Sequence, residues 1–245
     1  MLALPAGRGN KKLPFDRGTL QVYLSLSDLS MKRAIDLVMF DLDGTLADTG
    51  MDLANSVNHV RSRFDLEPVE NQLIYAQVGR GVEYLMRSFL PERCQDRFKD
   101  AVGLFLQHYE NHLLDTTALY PHVEETLEYF RRKKRVVIRN KLYRLTVALL
   151  KGLGIEDCFD AILGGDSARQ KKPDPEPLKQ VLATFGVSPL KALMVGDGDT
   201  DIQAGKGAGV HTCGVTYGLG DRDELIAAEP DLLLEDLSQL TEHFG

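Results

Sequence analysis

The run Asp36-Leu37-Val38-Met39-Phe40-Asp41-Leu42-Asp43-Gly44-Thr45-Leu46 takes an apolar strand into two carboxylates two residues apart and then into a glycine turn. Carboxylates so placed can attack, move a proton or hold a cation. In an open α/β sheet ligands sit just beyond the carboxyl ends of the strands, so Asp41 is expected where a substrate would lie. Successive side chains of a strand point to opposite faces, but the chain turns at Asp43-Gly44, so both carboxylates can converge on one site. A second run, Val195-Gly196-Asp197-Gly198-Asp199-Thr200-Asp201, again leads an apolar strand into acids. Alone, it also reads as a calcium-type or turn sequence.

The elements that must position these groups follow from periodicity. Short β-rich runs at Ile35 to Phe40, Arg135 to Arg139, Ala161 to Leu163, Ala192 to Val195 and Thr212 to Val215 alternate with helical spacing over Val123 to Lys133, Tyr143 to Leu153, Pro177 to Phe185 and Asp199 to Ala208. That alternation predicts an α/β fold, a parallel sheet wrapped by helices. Gly154 and Gly186 stand where helix C-terminal glycines belong. Residues 49–114 break the pattern with helical stretches at Asp52 to Phe64, Gly81 to Phe89 and Glu92 to Leu113, punctuated at Pro68 and Pro91. The expected division is an N-terminal extension of unknown role over 1–33, a core made of 34–48 and 115–245, and a helical insert over 49–114. Within the extension, Leu20 to Leu24 reads as a short strand.

The 245 residues carry a net charge of -7, which argues against a protein that coats nucleic acid and requires any phosphate site to be locally basic. Three cysteines without Cys-x-x-Cys spacing suggest neither a zinc site nor a disulfide framework. No apolar stretch reaches the roughly 18 residues of a membrane span. A cytoplasmic protein, a monomer or homodimer with no membrane or nucleic-acid partner, is expected.

From Ile35 to Phe244 the chain resembles the haloacid dehalogenase superfamily, most closely its phosphoglycolate phosphatase-like branch. The resemblance rests on Asp41-Leu42-Asp43-Gly44-Thr45, on the Asp197 to Asp201 run, and on Lys172 in Lys171-Lys172-Pro173-Asp174-Pro175-Glu176-Pro177. It implies a Rossmann-like, doubly wound core with a small helical cap. It further implies that Asp41 attacks phosphorus to form an aspartyl-phosphate, while Asp43 protonates the leaving oxygen and later activates water. A carboxylate attacks a dianion poorly unless a cation screens the repulsion, so a divalent metal is expected. By resemblance Mg2+ is held by Asp41, Asp197 and the backbone carbonyl of Asp43 and braced by Asp201, and Lys172 neutralises the nucleophile and the phosphoryl oxygens. Asp199 reads as a helix N-terminal or surface acid, Lys171 as a solvated neighbour, and Thr49 with Asp48 as the hinge into the cap.

One motif departs from the family. Relatives end the strand over Arg135 to Ile138 with Thr or Ser and then Asn-Lys, so that a hydroxyl and the next N–H bind phosphate. Here Arg139 precedes Asn140-Lys141. Arginine grips phosphate oxygens with two parallel N–H bonds, yet its bulk can fill the phosphate pocket. Three expectations stay open: Arg139 is an unusual phosphate ligand, it swings aside with reduced activity, or the site has lost efficient turnover. Thr45, Arg139 and Asn140 are the expected substrate contacts. Arg80, in Gly79-Arg80-Gly81 of the insert, is either a partner for a substrate carboxylate or an exposed loop residue.

The resulting expectation is a Mg2+-dependent phosphomonoesterase acting on 2-phosphoglycolate or another small phosphorylated metabolite. A pyrophosphatase, a sugar-phosphate phosphatase, a phosphomutase, or a weakened phosphate- or partner-binding protein are the alternatives.

Overall fold

The computed structural model describes residues 32–245, so the strand expected at Leu20 to Leu24 lies outside the described residues. Strand β1 (Leu37–Phe40) runs to the turn at Asp43 and Gly44 and then to β2 (Ala47–Asp48). Helices α1 (Gly50–Arg63), α2 (Asn71–Tyr75), α3 (Val82–Phe89) and α4 (Phe98–Asn111) follow, and β3 (Ala118–Leu119) brings the chain back by pairing antiparallel with β2. Next come α5 (Val123–Tyr129), β4 (Lys134–Ile138), α6 (Tyr143–Gly152), β5 (Ala161–Leu163) and α7 (Glu176–Phe185). The chain closes with β6 (Ala192–Gly196), α8 (Asp199–Ala208), β7 (His211–Val215), α9 (Arg222–Ala227), β8 (Leu232–Leu234) and α10 (Leu240–His243).

Six strands form one parallel sheet in the order β5-β4-β1-β6-β7-β8. A sheet covered on both faces wants strands apolar throughout, and β1 is buried along its whole length. Its alternate residues enter two cores: Leu37 and Met39 join Leu178, Val181 and Ala204 under α7 and α8, while Val38 and Phe40 join the larger cluster on the other face. That larger cluster continues through Leu53, Val57, Ile74, Leu85 and Phe105 of the helical segment, so one apolar core runs from the sheet into that segment. The expected α/β architecture is the observed one. The short elements β2, β3, α2 and β8 were not among those expected. Residues 92–97, expected as α-helix, form a 3-10 turn instead, entered from Pro91.

Register explains why chemistry gathers at one edge. Phe40 pairs with Val137 on one side and Val195 on the other, so the residues that follow, Asp41, Ile138-Arg139 and Gly196-Asp197, leave the sheet together. The Asp41 N–H donates to Val195 O at 2.9 Å and the Arg139 N–H to Leu163 O at 3.0 Å.

The exit and re-entry of the helical segment are tied by Asp52, a buried carboxylate of α1. It accepts hydrogen bonds from the N–H and hydroxyl of Thr116 and from the N–H and hydroxyl of Thr117, at 2.7 to 3.1 Å. Burial works to raise its pKa, but these bonds outweigh it and hold Asp52 below the ordinary 3.8. The stability it contributes is therefore present above the unfolded value and is lost as pH falls through the lower folded one. Asp52→Ala is expected to cost about 2–3 kcal/mol in urea unfolding at pH 7. A deficit that stays the same below about pH 3 would refute this assignment.

Candidate active site

Three carboxylates, Asp41, Asp197 and Asp201, come together with oxygens within 4.8 Å of one another, all buried. Asp41 ends β1. Asp197 follows β6, and Asp201 sits in the first turn of α8, where its Oδ2 accepts the Gly198 N–H at 3.2 Å. Burial and the neighbouring Asp41 and Asp201 push Asp197 up to about 7, against hydrogen bonds from Gly220 N–H and Thr45. Asp201 is raised as well, by burial first, with Lys172 opposing. Crowded, desolvated oxygens of like charge are a donor set that a hard divalent cation fits.

Asp197 is itself fixed. Its Oδ2 accepts the N–H groups of Leu219 and Gly220, each at 2.9 Å, and its Oδ1 accepts the Thr45 hydroxyl at 3.1 Å. Gly44, at φ +79°, packs so close that a Cβ there would collide with Asp197 Oδ2. The glycine of the first motif is thus what lets the second motif's carboxylate approach.

Lys172 is buried between the acids. Its Nζ donates to Asp41 Oδ1 at 2.6 Å, to Asp201 Oδ1 at 2.5 Å and to Ile138 O at 2.6 Å, which fills all three donors. Burial opposes its charge, but Asp201 and Asp41 outweigh burial and raise its pKa.

The Asp43 carboxylate is not one of the trio. It faces Thr49, whose hydroxyl donates to Oδ1 at 2.7 Å, Lys141, whose Nζ lies 2.9 Å from the same oxygen, and Arg139, whose Nη2 pairs with Oδ2. Lys141 also bonds the Tyr109 hydroxyl of α4 at 2.5 Å. Burial and the Arg139 guanidinium push Lys141 well below the ordinary lysine range. Burial lowers Arg139 too, against the pull of Asp41, Asp197 and Asp201.

The structure directs several expected substrate contacts elsewhere. The Thr45 hydroxyl is spent on Asp197. The Asn140 side-chain amide donates to Gly79 O at 2.9 Å and Lys172 O at 2.8 Å, joining the helical segment's loop to the motif lysine, and these bonds do not engage the backbone N–H through which the phosphate contact was expected. Arg80 pairs with Asp199 at 3.1 Å and Glu224 at 3.5 Å, on the rim of the cleft that Asp41 and Asp197 line. Arg139 neither swings out nor stands free; it is buried against Asp43. Lys141, Tyr109 and the Leu219-Gly220 amides were missed. Lys141 lay in the Asn140-Lys141 motif, whereas an inward tyrosine on an amphipathic helix carries no distinguishing signal.

Similarity to known proteins points the same way. The family model described as haloacid dehalogenase-like hydrolase matches residues 38–215. A phosphoglycolate phosphatase of Chromobacterium violaceum is 36% identical over 216 residues, covering 84% of this chain and 95% of that protein. One from Pseudomonas putida is 38% identical over 213 residues, covering 83% and 78%. The crystal structure of a predicted phosphoglycolate phosphatase from Haemophilus somnus superposes with a TM-score of 0.81 at 31% identity, covering 85% and 97%.

Proposed function

Because this chain belongs to the haloacid dehalogenase-like hydrolases and is a phosphatase of the phosphoglycolate phosphatase-like kind, we propose that it cleaves 2-phosphoglycolate through an aspartyl-phosphate on Asp41. The observation that carries this reading is the pairing of two differently furnished carboxylates at one strand end. Asp41 stands among acids and Lys172, and Asp43 stands two residues on among cations.

Asp41, Asp197 and Asp201 would hold Mg2+, whose charge screens the approach of a carboxylate to a phosphoryl dianion. Lys172 anchors Asp41 through Oδ1 and adds fixed positive charge beside the nucleophile. Asp43 then moves the proton, giving it to the leaving oxygen and later taking one from water. Arg139 and Lys141 both hold its carboxylate, so a contact must be given up before it hands a proton to the leaving oxygen. The helical segment acts as a cap over the site, with Thr49 and Asp52 at its hinge and Asn140 and Arg80 as its contacts to the core. A cytoplasmic location is part of this proposal, and the three free cysteines are in keeping with it.

The second reading, a phosphate-binding protein with weak turnover, draws on the Arg139–Asp43 pair. Phosphate release from 2-phosphoglycolate, pyrophosphate, a sugar phosphate and an aryl phosphate, with Mg2+ and with EDTA, separates the two. The phosphatase reading expects release that chelation abolishes, fastest on 2-phosphoglycolate. Silence of the wild type together with activity in Arg139→Thr would establish the second reading.

A further inference from the structure

We infer that Tyr217, in the loop after β7, is a positioning residue for the divalent-cation site: its hydroxyl holds the Thr45 turn where Thr45 and Asp197 together aim one carboxylate oxygen at the ion. The inference rests on the cation site of the phosphatase reading and deepens it.

The oxygens of Asp197 come first. A carboxylate has about four lone-pair sites, two on each oxygen. Oδ2 spends both of its sites on the N–H groups of Leu219 and Gly220, and Oδ1 spends one on the Thr45 hydroxyl. The site left on Oδ1 is what Asp197 can offer a cation beside Asp41 and Asp201. Donor and ion then share one oxygen, so the place of the Thr45 hydroxyl decides which way the free site points.

The Thr45 turn is held from outside. Its carbonyl accepts the Tyr217 hydroxyl at 2.8 Å. One short loop thus grips the cation site from two directions, through the Tyr217 hydroxyl on Thr45 O and through the Leu219 and Gly220 amides on Asp197. Gly218 lets the loop come this close, since a Cβ there would collide with Gly44 O and with Asp197. The tyrosine ring is fixed in turn by Tyr120, 4.8 Å away between centroids. Tyr120 follows β3, and its N–H donates to Leu46 O at 3.0 Å, so both tyrosines bear on the same turn at neighbouring residues. Phenylalanine at 217 keeps the ring packing and removes only the donor to Thr45 O.

The test reads Mn2+ binding to the metal-free protein, with free Mn2+ counted by its electron paramagnetic resonance signal. Wild type, Tyr217→Phe, Thr45→Val and the double variant are compared, each shown by urea unfolding to be folded under the assay conditions. Residues that orient a metal ligand are typically worth about 10- to 100-fold in affinity. Each single variant is expected to bind Mn2+ about tenfold more weakly. The double variant is expected to lose about tenfold as well, not about a hundredfold, because both changes act through one contact. Wild-type affinity in Tyr217→Phe, or losses that multiply in the double variant, overturns the inference, as does a wild type that takes up no Mn2+. The phosphatase reading fails on a different result, absence of metal-dependent phosphate release by the wild type, because the Mn2+ measurement involves no turnover.

Discussion

Asp41→Asn is expected to lower kcat for metal-dependent phosphate release by about 10^4-fold or more, the scale on which removal of a nucleophile is felt. The change keeps size and shape, removing one charge. Lys172 retains Asp201 at 2.5 Å and Ile138 O at 2.6 Å, so the local frame has reason to persist. The same variant should therefore unfold in urea with a midpoint close to that of the wild type. Turnover above about one per cent of wild type, in protein shown to be folded, would remove Asp41 from the role of nucleophile.

Lys172→Met is expected to damage both function and fold. The variant puts an apolar chain of similar length in a buried position and leaves Asp41, Asp197 and Asp201 facing one another without their internal cation. Removing one partner of a buried pair typically costs about 3–5 kcal/mol, and the loss of fixed charge beside the nucleophile is expected to cost about 10^3-fold in kcat. The sign of the pH dependence is set by the carboxylates. Lys172 works to lower Asp201, which burial raises, so without that ammonium Asp201 takes up a proton in the folded variant more readily than in the folded wild type, and acidification favours the variant's folded state more than the wild type's until the unfolded value of 3.8 is reached. The stability deficit of Lys172→Met in metal-free buffer should accordingly shrink between pH 8 and pH 5. Urea unfolding at the two values checks it, and a deficit that grows on acidification would contradict the argument.

What could be read from the chain was whatever announces itself locally. β1 and β6 are apolar runs that end in acids, and Lys172 precedes a Pro-Asp-Pro turn, so strand ends and turn fix the neighbourhood of these side chains. The sheet was legible for the same reason, since strands of a buried parallel sheet are continuous in their apolarity. The direction of Arg139 was not legible. A residue at a strand end may be known to reach the site while its partner is decided by what else is there, and the Asp43 carboxylate comes from 96 positions earlier, bound also by Lys141. Thr45 and Asn140 show the same limit from the other side. Each lies within a motif, but hydroxyl and amide go to whichever buried acceptor packing offers, Asp197 in one case and two backbone carbonyls in the other. Asp52 escaped notice because an acid in the first turn of a helix usually faces water. Here the returning chain at Thr116 and Thr117 supplies its partners, and no local pattern reports that.

The register that sets Phe40 between Val137 and Val195 also bears on how the protein is made. The carboxylates that crowd together are contributed by segments more than 150 positions apart in the chain, and only correct pairing of the three central strands brings them within reach. A slip of one residue would turn every side chain of a strand to the opposite face and scatter the acids. An unfolded or misregistered chain therefore offers a divalent cation nothing comparable, and binding draws only on the native population. At a hundredfold excess over its dissociation constant such an ion adds about 2.7 kcal/mol to the folded state. The cell's ionic composition thus becomes a term in the protein's survival as well as in its chemistry.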